Sequence, residues 1–430
     1  MKKTLAALCA LSMSIAMLAG CSAPSSSPSD AADHSAPPPS ASEPSAPVTI
    51  RLYGLNAAWT EVMDRASADY NKETGNTLEV EIAGDDYSAV LTARFNSNQA
   101  PDVFELANSD IADWSARLVD ISECKFTETL YESAKSSVYV DGVYYGMPYG
   151  VSAGGFIYNK DLFEQAGIEK LPETLDELEA VCVQLQQNGI QPFGEAWKEW
   201  GYLAQIFGYT FLYEGDTKAL ADKLNSGEMQ LSDLAYIQNF FRLYDMTLDY
   251  GLGAESIGYG VFDQISDFAA GKMAMIKQGT WLESLLLATN PELNIGIFAA
   301  PLTNDPGDTK LPIGTAGALV VNKDSPVAEE SKAFLNWFFD HIQTYLIDGM
   351  LVAAPYEGTD NSKLGPLNND MFDYMERGAT FDTLGFDDWP AGYLYDVATP
   401  LQAYAAGAAT AEATLAELQS LYNSRINSAG

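Results

Sequence analysis

The fold is decided by residues 48–106, which begin with VTIRLY at residues 48–53. Apolar and polar side chains alternate in that stretch, a pattern that predicts a strand. The turn at Gly54-Leu55-Asn56 leads into an amphipathic helix from Trp59 to Thr74, which Gly75 can end. The same reasoning predicts a strand through Leu78, Val80 and Ile82, a helix over Val90–Asn98 and a strand over Asp102–Leu106. The sequence therefore predicts a βαβαβ unit with a parallel sheet, in the α/β class.

The loops after these three strands carry short polar side chains. In an open parallel sheet, ligands bind beyond the carboxyl ends of the strands, so the three loops should share one rim. Any single Asn or Asp in a loop is more commonly a turn residue, but three polar loops on one rim favour a binding site. The candidate residues are Asn56, Asp85, Asp86, Asn108 and Asp110.

The first 47 residues differ in composition from the rest. Lys2 and Lys3 precede an apolar run over residues 5–17, which is typical of an export signal and too short to span a bilayer. The sequence LAGC at residues 18–21 then resembles the bacterial lipoprotein box, which implies removal of residues 1–20 and a diacylglycerol on Cys21. An ordinary signal peptide or an uncleaved anchor is the alternative. Residues 21–47, almost wholly Ser, Pro and Ala after the cysteine, are expected to form a lipidated, disordered tether.

Charge and composition exclude several kinds of function. The formal net charge of −36 argues against binding to nucleic acid and against direct docking on anionic lipid. His341 is the only histidine after residue 34, so neither a histidine-based catalytic triad nor a multi-histidine metal site is expected. Cys124 and Cys182 could form a disulfide outside the cell, but a buried free thiol at Cys182, in line with Leu178 and Leu185, is favoured.

Several longer motifs carry a resemblance to a known family. They are DGVYYGMPY at 141–149, FIYNKDLF at 156–163, PETLDEL at 172–178, FAAGKMAM at 268–275 with Gly279-Thr280-Trp281, and GTAGALVV at 314–321. Together they resemble the extracellular solute-binding proteins of carbohydrate ABC transporters, the maltose-binding-protein-like group. The resemblance covers nearly all of residues 48–427.

The resemblance implies a periplasmic-binding-protein-like fold of class II, with two α/β lobes, a hinge and a ligand cleft between the lobes. Lobe 1 would contain residues 48–151 and 301–347, and lobe 2 residues 152–300 and 348–430. The chain would cross the hinge at Gly150–Gly155, between Ala300 and Ala316, and between Ile347 and Tyr356. The glycines of the first crossing could absorb the rotation of closure.

The resemblance also implies which side chains face the cleft. A sugar presents hydroxyl groups and an apolar C–H face, so its site needs aromatic rings with carboxylates and amides. By their places in the family's motifs, the expected contacts are Tyr149, Ser152, Glu195, Trp197, Trp281, Trp389 and Tyr393. Trp200 is expected in the core instead, as are Trp114 and Trp337. Ser152 stands where the maltose-specific protein has an acidic contact, so maltose is not implied.

The predicted function is a monomeric binding protein, lipid-anchored outside the cytoplasm, that closes on a saccharide and delivers it to a permease without cofactor or covalent chemistry. A receptor for a cationic solute such as a polyamine is the alternative within the fold. A tethered glycoside hydrolase is less favoured, because the neighbouring Asp85 and Asp86 are more typical of a solvated turn than of an acid–base pair. A sensory or adhesive surface protein without a transporter is a third possibility.

Overall fold

The chain divides into two units, Met1–Ala46 and Pro47–Gly430, and the elements described below belong to the second. The computed structural model describes residues 46–54, 57–83, 87–315, 317–383, 389–390 and 392–429. The predicted export signal, Cys21 and nearly all of the predicted tether lie outside these residues, as do Asn56, Asp85 and Asp86. Within the described part of the chain, no helix is both long and apolar enough to cross a membrane.

Strands form two larger sheets and a small hairpin. Their bounds are β1 (Thr49–Gly54), β2 (Thr77–Ile82), β3 (Val103–Leu106), β4 (Tyr139–Val140), β5 (Val143–Tyr144), β6 (Gly146–Pro148), β7 (Val151–Asn159), β8 (Met275–Gly279), β9 (Ile295–Phe298), β10 (Leu311–Thr315), β11 (Ala318–Val321) and β12 (Thr380–Phe381). The first sheet has the order β2-β1-β3-β11-β6, and β4 pairs with β5. The second sheet has the order β12-β10-β7-β8, and β9 also pairs with β7.

Helices cover both sheets. Their bounds are α1 (Thr60–Thr74), α2 (Tyr87–Asn96), α3 (Ile111–Trp114), α4 (Glu132–Lys135), α5 (Lys160–Ala166), α6 (Leu175–Gln187), α7 (Trp200–Tyr213), α8 (Thr217–Ser226), α9 (Ile237–Asp249), α10 (Val261–Ala269), α11 (Glu283–Thr289), α12 (Ala328–Asp340), α13 (Asp348–Met350), α14 (Pro366–Glu376), α15 (Tyr393–Asp396), α16 (Ala398–Ala405) and α17 (Ala411–Ala429).

The predicted βαβαβ unit is confirmed in the first sheet. β1 pairs in parallel with both β2 and β3, and Leu52 lies opposite Val80 on one side and Val103 on the other. Gly75 ends α1 with φ of 78°, a left-handed conformation that glycine adopts without strain. β11 and β6 then extend the sheet in antiparallel fashion. The carboxyl ends of β1 and β3 therefore meet at one edge, as the sequence predicted.

The second sheet is buried on both faces. Ile157, Ile276 and Ile297 face a core that they share with α10, α11 and α14. Phe156, Met275 and Phe298 face the opposite core, which contains the apolar side chains of α6, α7, α9 and α15–α17. Burial on both faces explains why β7 and β9 are mainly apolar and do not alternate, whereas β8 also buries the polar side chains of Lys277 and Gln278.

The chain passes between the two sheets at three places. Tyr149 and Gly150 connect β6 to β7, so residues 151–155 belong to a regular strand. A methyl group on Gly155 would lie 2.4 Å from the carbonyl oxygen of Phe298, so close packing requires a glycine at this position. The second passage follows Thr315, because β10 pairs with β7; residues 311–315, predicted for lobe 1, thus join the second sheet.

The third passage lies later than the sequence predicted. Ala353 accepts a hydrogen bond from the Val151 amide, and the Tyr356 hydroxyl donates to the carbonyl of Pro148. The Glu357 amide donates to the carbonyl of Thr129, which keeps this segment beside the first sheet. α14 then packs on β9 of the second sheet, so the passage falls between Glu357 and α14.

Both cysteines of the folded body are free and buried. This confirms the favoured interpretation over the disulfide. Burial raises the pKa of the Cys124 thiol to about 11, and it also raises the pKa of Cys182, so both thiols are protonated and unreactive near neutral pH. Trp114 and Trp337, expected in the core, are half-buried among other aromatic rings.

The start of α6 offers a stability test. The Thr174 hydroxyl accepts a hydrogen bond from the Glu177 amide at 3.1 Å, while the Glu177 carboxylate accepts from the Glu173 amide and not from Thr174 as in a regular capping box. Thr174→Ala should lower the free energy of unfolding by about 1 kcal/mol in urea denaturation. The control is Thr92→Ala. The exposed Thr92 hydroxyl donates a hydrogen bond only to the Ser88 carbonyl in its own helix. Equal effects of the two substitutions would contradict the capping role.

Candidate functional site

The lobe 1 side of the site centres on Glu105, which lies near the end of β3. The Tyr149 hydroxyl donates a hydrogen bond to the Glu105 carboxylate, and the Tyr87 hydroxyl donates to the Glu105 carbonyl. Burial and the charge of Glu105 raise the pKa of both tyrosines, so both remain hydrogen-bond donors at neutral pH. Trp59 packs edge-on against Tyr149 at 5.0 Å between ring centroids. The half-buried carboxylate is thereby held at the end of the sheet, where it can accept a hydrogen bond from a hydroxyl group.

The predicted rim residues of the β3 loop have different surroundings. The Asn108 amide nitrogen donates to the carbonyl oxygen of Thr315 at 2.9 Å, which ties the loop to the second passage. The Asn108 amide oxygen is buried and has no hydrogen-bond partner among the described residues. Asp110 is exposed at the start of α3. Only the Asn108 oxygen therefore has an unmet need for a donor, of the kind that a solute or a water molecule supplies.

The lobe 2 side of the site contains a pair of exposed aromatic rings. Trp200 at the start of α7 is 43% exposed and Tyr395 in α15 is 60% exposed. Their ring centroids are 3.8 Å apart with an interplanar angle of 32°. We expected Trp200 in the core; it lies at the surface because it opens its helix, and the buried positions of α7 begin at Leu203.

A cavity of about 380 Å³ lies against this aromatic pair, within the size range of small-molecule sites. Trp389 forms part of its wall and stacks on Phe211, with 3.6 Å between centroids. Gln205 is the amide in the wall, and its oxygen accepts a hydrogen bond from the Lys277 amino group at 3.0 Å. The lining residues are Trp200, Gly201, Gln205, Trp389, Pro390, Gly392, Leu394 and Tyr395.

Trp281 provides a further ring surface, 38% exposed. Its indole lies so close to the backbone that a methyl group on Gly279 would come within 2.2 Å of Cζ3. A methyl group on Gly154 would come within 3.5 Å of Cη2 and within 2.2 Å of the Tyr209 hydroxyl. The glycines thus allow the ring to lie flat on β7 and β8, which explains the Gly279-Thr280-Trp281 sequence.

Three predicted contacts lie in the interior instead. Glu195 and Trp197 are fully buried, and the Trp197 ring packs on Tyr244. Tyr393 is also fully buried and donates its hydroxyl to the carbonyl of Leu418. Because a ring without exposed surface cannot stack on a sugar, the structure gives these residues a supporting role in place of the expected contact. Ser152 is half-buried in β7, opposite Gly314 of β10.

Glu195 and Lys277 are fully buried ionisable residues behind the cavity wall, where Lys277 contacts Gln205. Both carboxylate oxygens of Glu195 accept a hydrogen bond from the Lys277 backbone amide, at 3.0 and 3.1 Å. The Lys277 amino group lies 4.5 Å from the centroid of the Tyr209 ring. Burial raises the pKa of Glu195 to about 8 and lowers that of Lys277 to about 7. Among the described residues, no cluster of three or more His, Cys, Asp or Glu side chains is placed to hold a metal.

A family model described as bacterial extracellular solute-binding protein matches residues 54–344. The chain belongs to this family. The melibiose/raffinose/stachyose-binding protein MelE of Bacillus subtilis is 24% identical over 336 residues, which are 76% of this chain and 74% of MelE. The diacetylchitobiose-binding protein DasA of Streptomyces coelicolor is 26% identical over 236 residues, about half of each chain.

Solved structures of other solute-binding proteins share the fold. The apo form of RafE from Streptococcus pneumoniae superposes with a TM-score of 0.74 at 21% identity, over 89% of this chain and 99% of RafE. RafE in complex with raffinose superposes with a TM-score of 0.65 at 20% identity, over 88% and 99%. The fold is therefore that of the class II periplasmic solute-binding proteins, with two α/β lobes, as the sequence predicted.

For this member of the solute-binding family, sequence reasoning missed Glu105, Trp200 and Tyr395. Glu105 was counted as a strand residue, and the alternation of β3 does not reveal that its carboxylate reaches the edge of the sheet. The spacing EAWKEW at residues 195–200 offers two tryptophans, and the choice between them depends on where α7 begins. Tyr395 lies in a helix of only four residues, which has no recognisable period.

Proposed function

We propose that this chain is the solute receptor of an ABC importer and that it captures an oligosaccharide between its lobes. The observation that carries the proposal is the exposed pair of Trp200 and Tyr395 beside the cavity. An exposed aromatic surface beside a cavity is typical of ligand sites, and the C–H face of a pyranose can stack on such rings. Trp281 provides a second surface of the same kind.

Polar groups in the site suit the hydroxyl groups of a sugar. Glu105 and the Asn108 amide oxygen accept hydrogen bonds on the lobe 1 side. On the lobe 2 side, Lys277 occupies the amide oxygen of Gln205 and leaves the amide nitrogen to donate. A neutral, polyhydroxylated solute matches this mixture of acceptors, a donor and rings, whereas a polyamine would leave the donor without an acceptor. The names of MelE, DasA and RafE in its raffinose complex support the same class of ligand.

The proposal includes the partners and the location of the protein. Membership of the extracellular solute-binding family supports an extracytoplasmic site of action and delivery to permease subunits. We propose that diacylglycerol on Cys21 anchors the mature chain as a monomer, and that residues 22–47 form its tether. Closure on the solute then selects the form that docks on the permease, with no covalent step.

A thermal-shift screen tests the proposal. Purified protein without its export signal should unfold at a higher temperature with raffinose, stachyose or diacetylchitobiose, because a ligand at a hundred times its Kd adds about 2.7 kcal/mol. Each sugar should be recovered intact afterwards, since a glycoside hydrolase would consume it. A shift with spermidine and with none of the sugars would overturn the saccharide proposal in favour of the cationic solute.

A further inference from the structure

A chain of buried side-chain amides connects Trp281 to the segment that precedes Trp200. The Trp281 Nε1–H donates to the Gln278 Oε1 at 3.3 Å, and the Gln278 Nε2–H donates to the Gln264 Oε1 at 2.7 Å. The Gln264 Nε2–H donates in turn to the carbonyl oxygen of Gly194 at 2.6 Å. Both glutamines are fully buried. We call these three hydrogen bonds the amide relay.

The two ends of the relay fix its direction. An indole N–H can only donate, so the oxygen of Gln278 must face Trp281. A backbone carbonyl can only accept, so the nitrogen of Gln264 must face Gly194. The remaining oxygen of Gln264 and nitrogen of Gln278 then meet as acceptor and donor. Flipping either amide would place two like groups against each other inside the protein, so only one orientation satisfies all three bonds.

The relay joins three elements that carry the aromatic surfaces. Gln278 lies in β8, three residues before Trp281, and Gln264 lies in α10. Gly194 begins the segment that leads to Trp200 and α7. The orientation of the exposed indole is therefore linked to the segment that holds the other aromatic pair.

We infer that Gln264 and Gln278 are positioning residues for solute binding, which hold the Trp281 indole in one orientation before the solute arrives. This inference rests on the proposed function of the site. A ring that is already oriented loses less conformational entropy when a sugar stacks on it, so the relay increases affinity without touching the solute. Burial alone does not require the relay, because apolar side chains of the same shape would fill the space at little cost.

The first test observes the indole directly and needs no ligand. In protein labelled with ¹⁵N-tryptophan, the Trp281 Nε1–H resonance is the one that disappears in Trp281→Phe. Gln278→Met keeps the volume of the side chain and removes the acceptor, so this resonance should move and its hydrogen should exchange faster with water. The double variant Gln264→Met/Gln278→Met leaves no side-chain amide unpaired, although the Gly194 carbonyl loses its donor. It should therefore recover part of the stability lost in Gln278→Met, but not the indole resonance.

The second test measures affinity for raffinose by calorimetry. Gln278→Met should raise Kd about tenfold, and it should have no further effect in the Trp281→Phe background, where no indole N–H remains. Gln264→Glu provides a pH-dependent rescue, because a protonated carboxyl group donates and accepts in the same order as the amide. Burial raises the pKa of that carboxyl, so affinity should be near the wild-type value at low pH and fall towards that of Gln264→Met as pH rises.

The outcomes separate the relay from the proposed function. An unchanged Trp281 resonance in Gln278→Met would overturn the relay. If Trp281→Ala binds raffinose more weakly than wild type but Gln278→Met binds it equally well, the relay is also overturned. The proposed site fails if wild type binds no saccharide, or if Trp281→Ala binds as tightly as wild type. In that case the Trp281 resonance alone decides whether the relay orients the indole. A Gln264→Glu affinity that does not vary with pH would contradict the proposed direction of the bonds.

Discussion

Trp200→Ala should weaken binding of the oligosaccharide identified in the screen about thirtyfold, which corresponds to about 2 kcal/mol. The substitution removes the larger ring of the exposed pair and one wall of the cavity, so the sugar loses its stacking surface. Because Trp200 lies at the surface, at the first position of α7, the free energy of unfolding should change by only about 0.5 kcal/mol. Trp200→Phe, which keeps a smaller ring, should give an intermediate Kd by calorimetry.

The control for this substitution is Tyr139→Ala. Tyr139 is also exposed and also pairs with a second ring, that of Tyr144 at 4.7 Å, but it lies in the β4–β5 hairpin away from the cavity. Loss of this ring should leave the Kd unchanged. Equal Kd values for Trp200→Ala and wild type would show that the sugar binds elsewhere. A comparable loss in Tyr139→Ala would indicate a general effect on the fold and would contradict the assignment of the site.

Local patterns explain why the first sheet was predictable. In β1, alternation alone places Ile50 and Leu52 inside, and Gly75 stops α1 whatever surrounds it. The close packing that requires a glycine at residue 155 was not predictable in this way, because the Phe298 carbonyl that approaches it belongs to a strand far along the chain. The same is true of the second passage, whose position depends on the pairing of β10 with β7.

The site was less predictable than the fold because burial at its residues depends on distant partners. Trp197 and Trp200 stand three residues apart, yet Tyr244 of α9 covers the first ring while Tyr395 of α15 leaves the second exposed. The sequence predicted Trp197 as the exposed ring of this segment and Trp200 as the buried one, and the structure reverses their burial. Trp281 was predicted from the resemblance of Gly279-Thr280-Trp281 to the family's motif, and its ring is 38% exposed. Its contact with a solute stays a prediction.

The buried Lys277 should make stability depend on pH in alkaline solution. Burial lowers its pKa to about 7 in the folded protein, whereas the unfolded chain holds this proton up to about pH 10.4. Between these values the unfolded state binds more protons, so the free energy of unfolding rises with pH. The groups that face the amine are Glu195, Gln205 and Tyr209. The pKa of Glu195, about 8, lies near the low end of this range, so wild type is compared with a Lys277 variant that keeps Glu195.

Lys277→Met removes this dependence. Between pH 8 and pH 10, the free energy of unfolding of wild type should rise by about 2 kcal/mol relative to Lys277→Met, since one proton per molecule contributes about 1.4 kcal/mol per pH unit. Urea denaturation at several pH values measures the difference. The variant should therefore exceed wild type in stability most clearly near pH 7 and lose this advantage as pH rises.

Glu195 should change the free energy of unfolding with pH in the opposite direction to Lys277, and this provides an internal check. Its pKa is raised, so its contribution to stability falls as pH rises from about 4.3, the value for an unfolded chain, towards about 8. Glu195→Gln should remove that fall in acid and leave the rise between pH 8 and pH 10. Lys125→Met, which removes an exposed lysine, controls for loss of a positive charge. The free energies of unfolding of Lys277→Met and wild type could instead change in parallel above pH 8. The amine would then keep its proton in the folded state, and Glu195 would have to offset the cost of burying that charge.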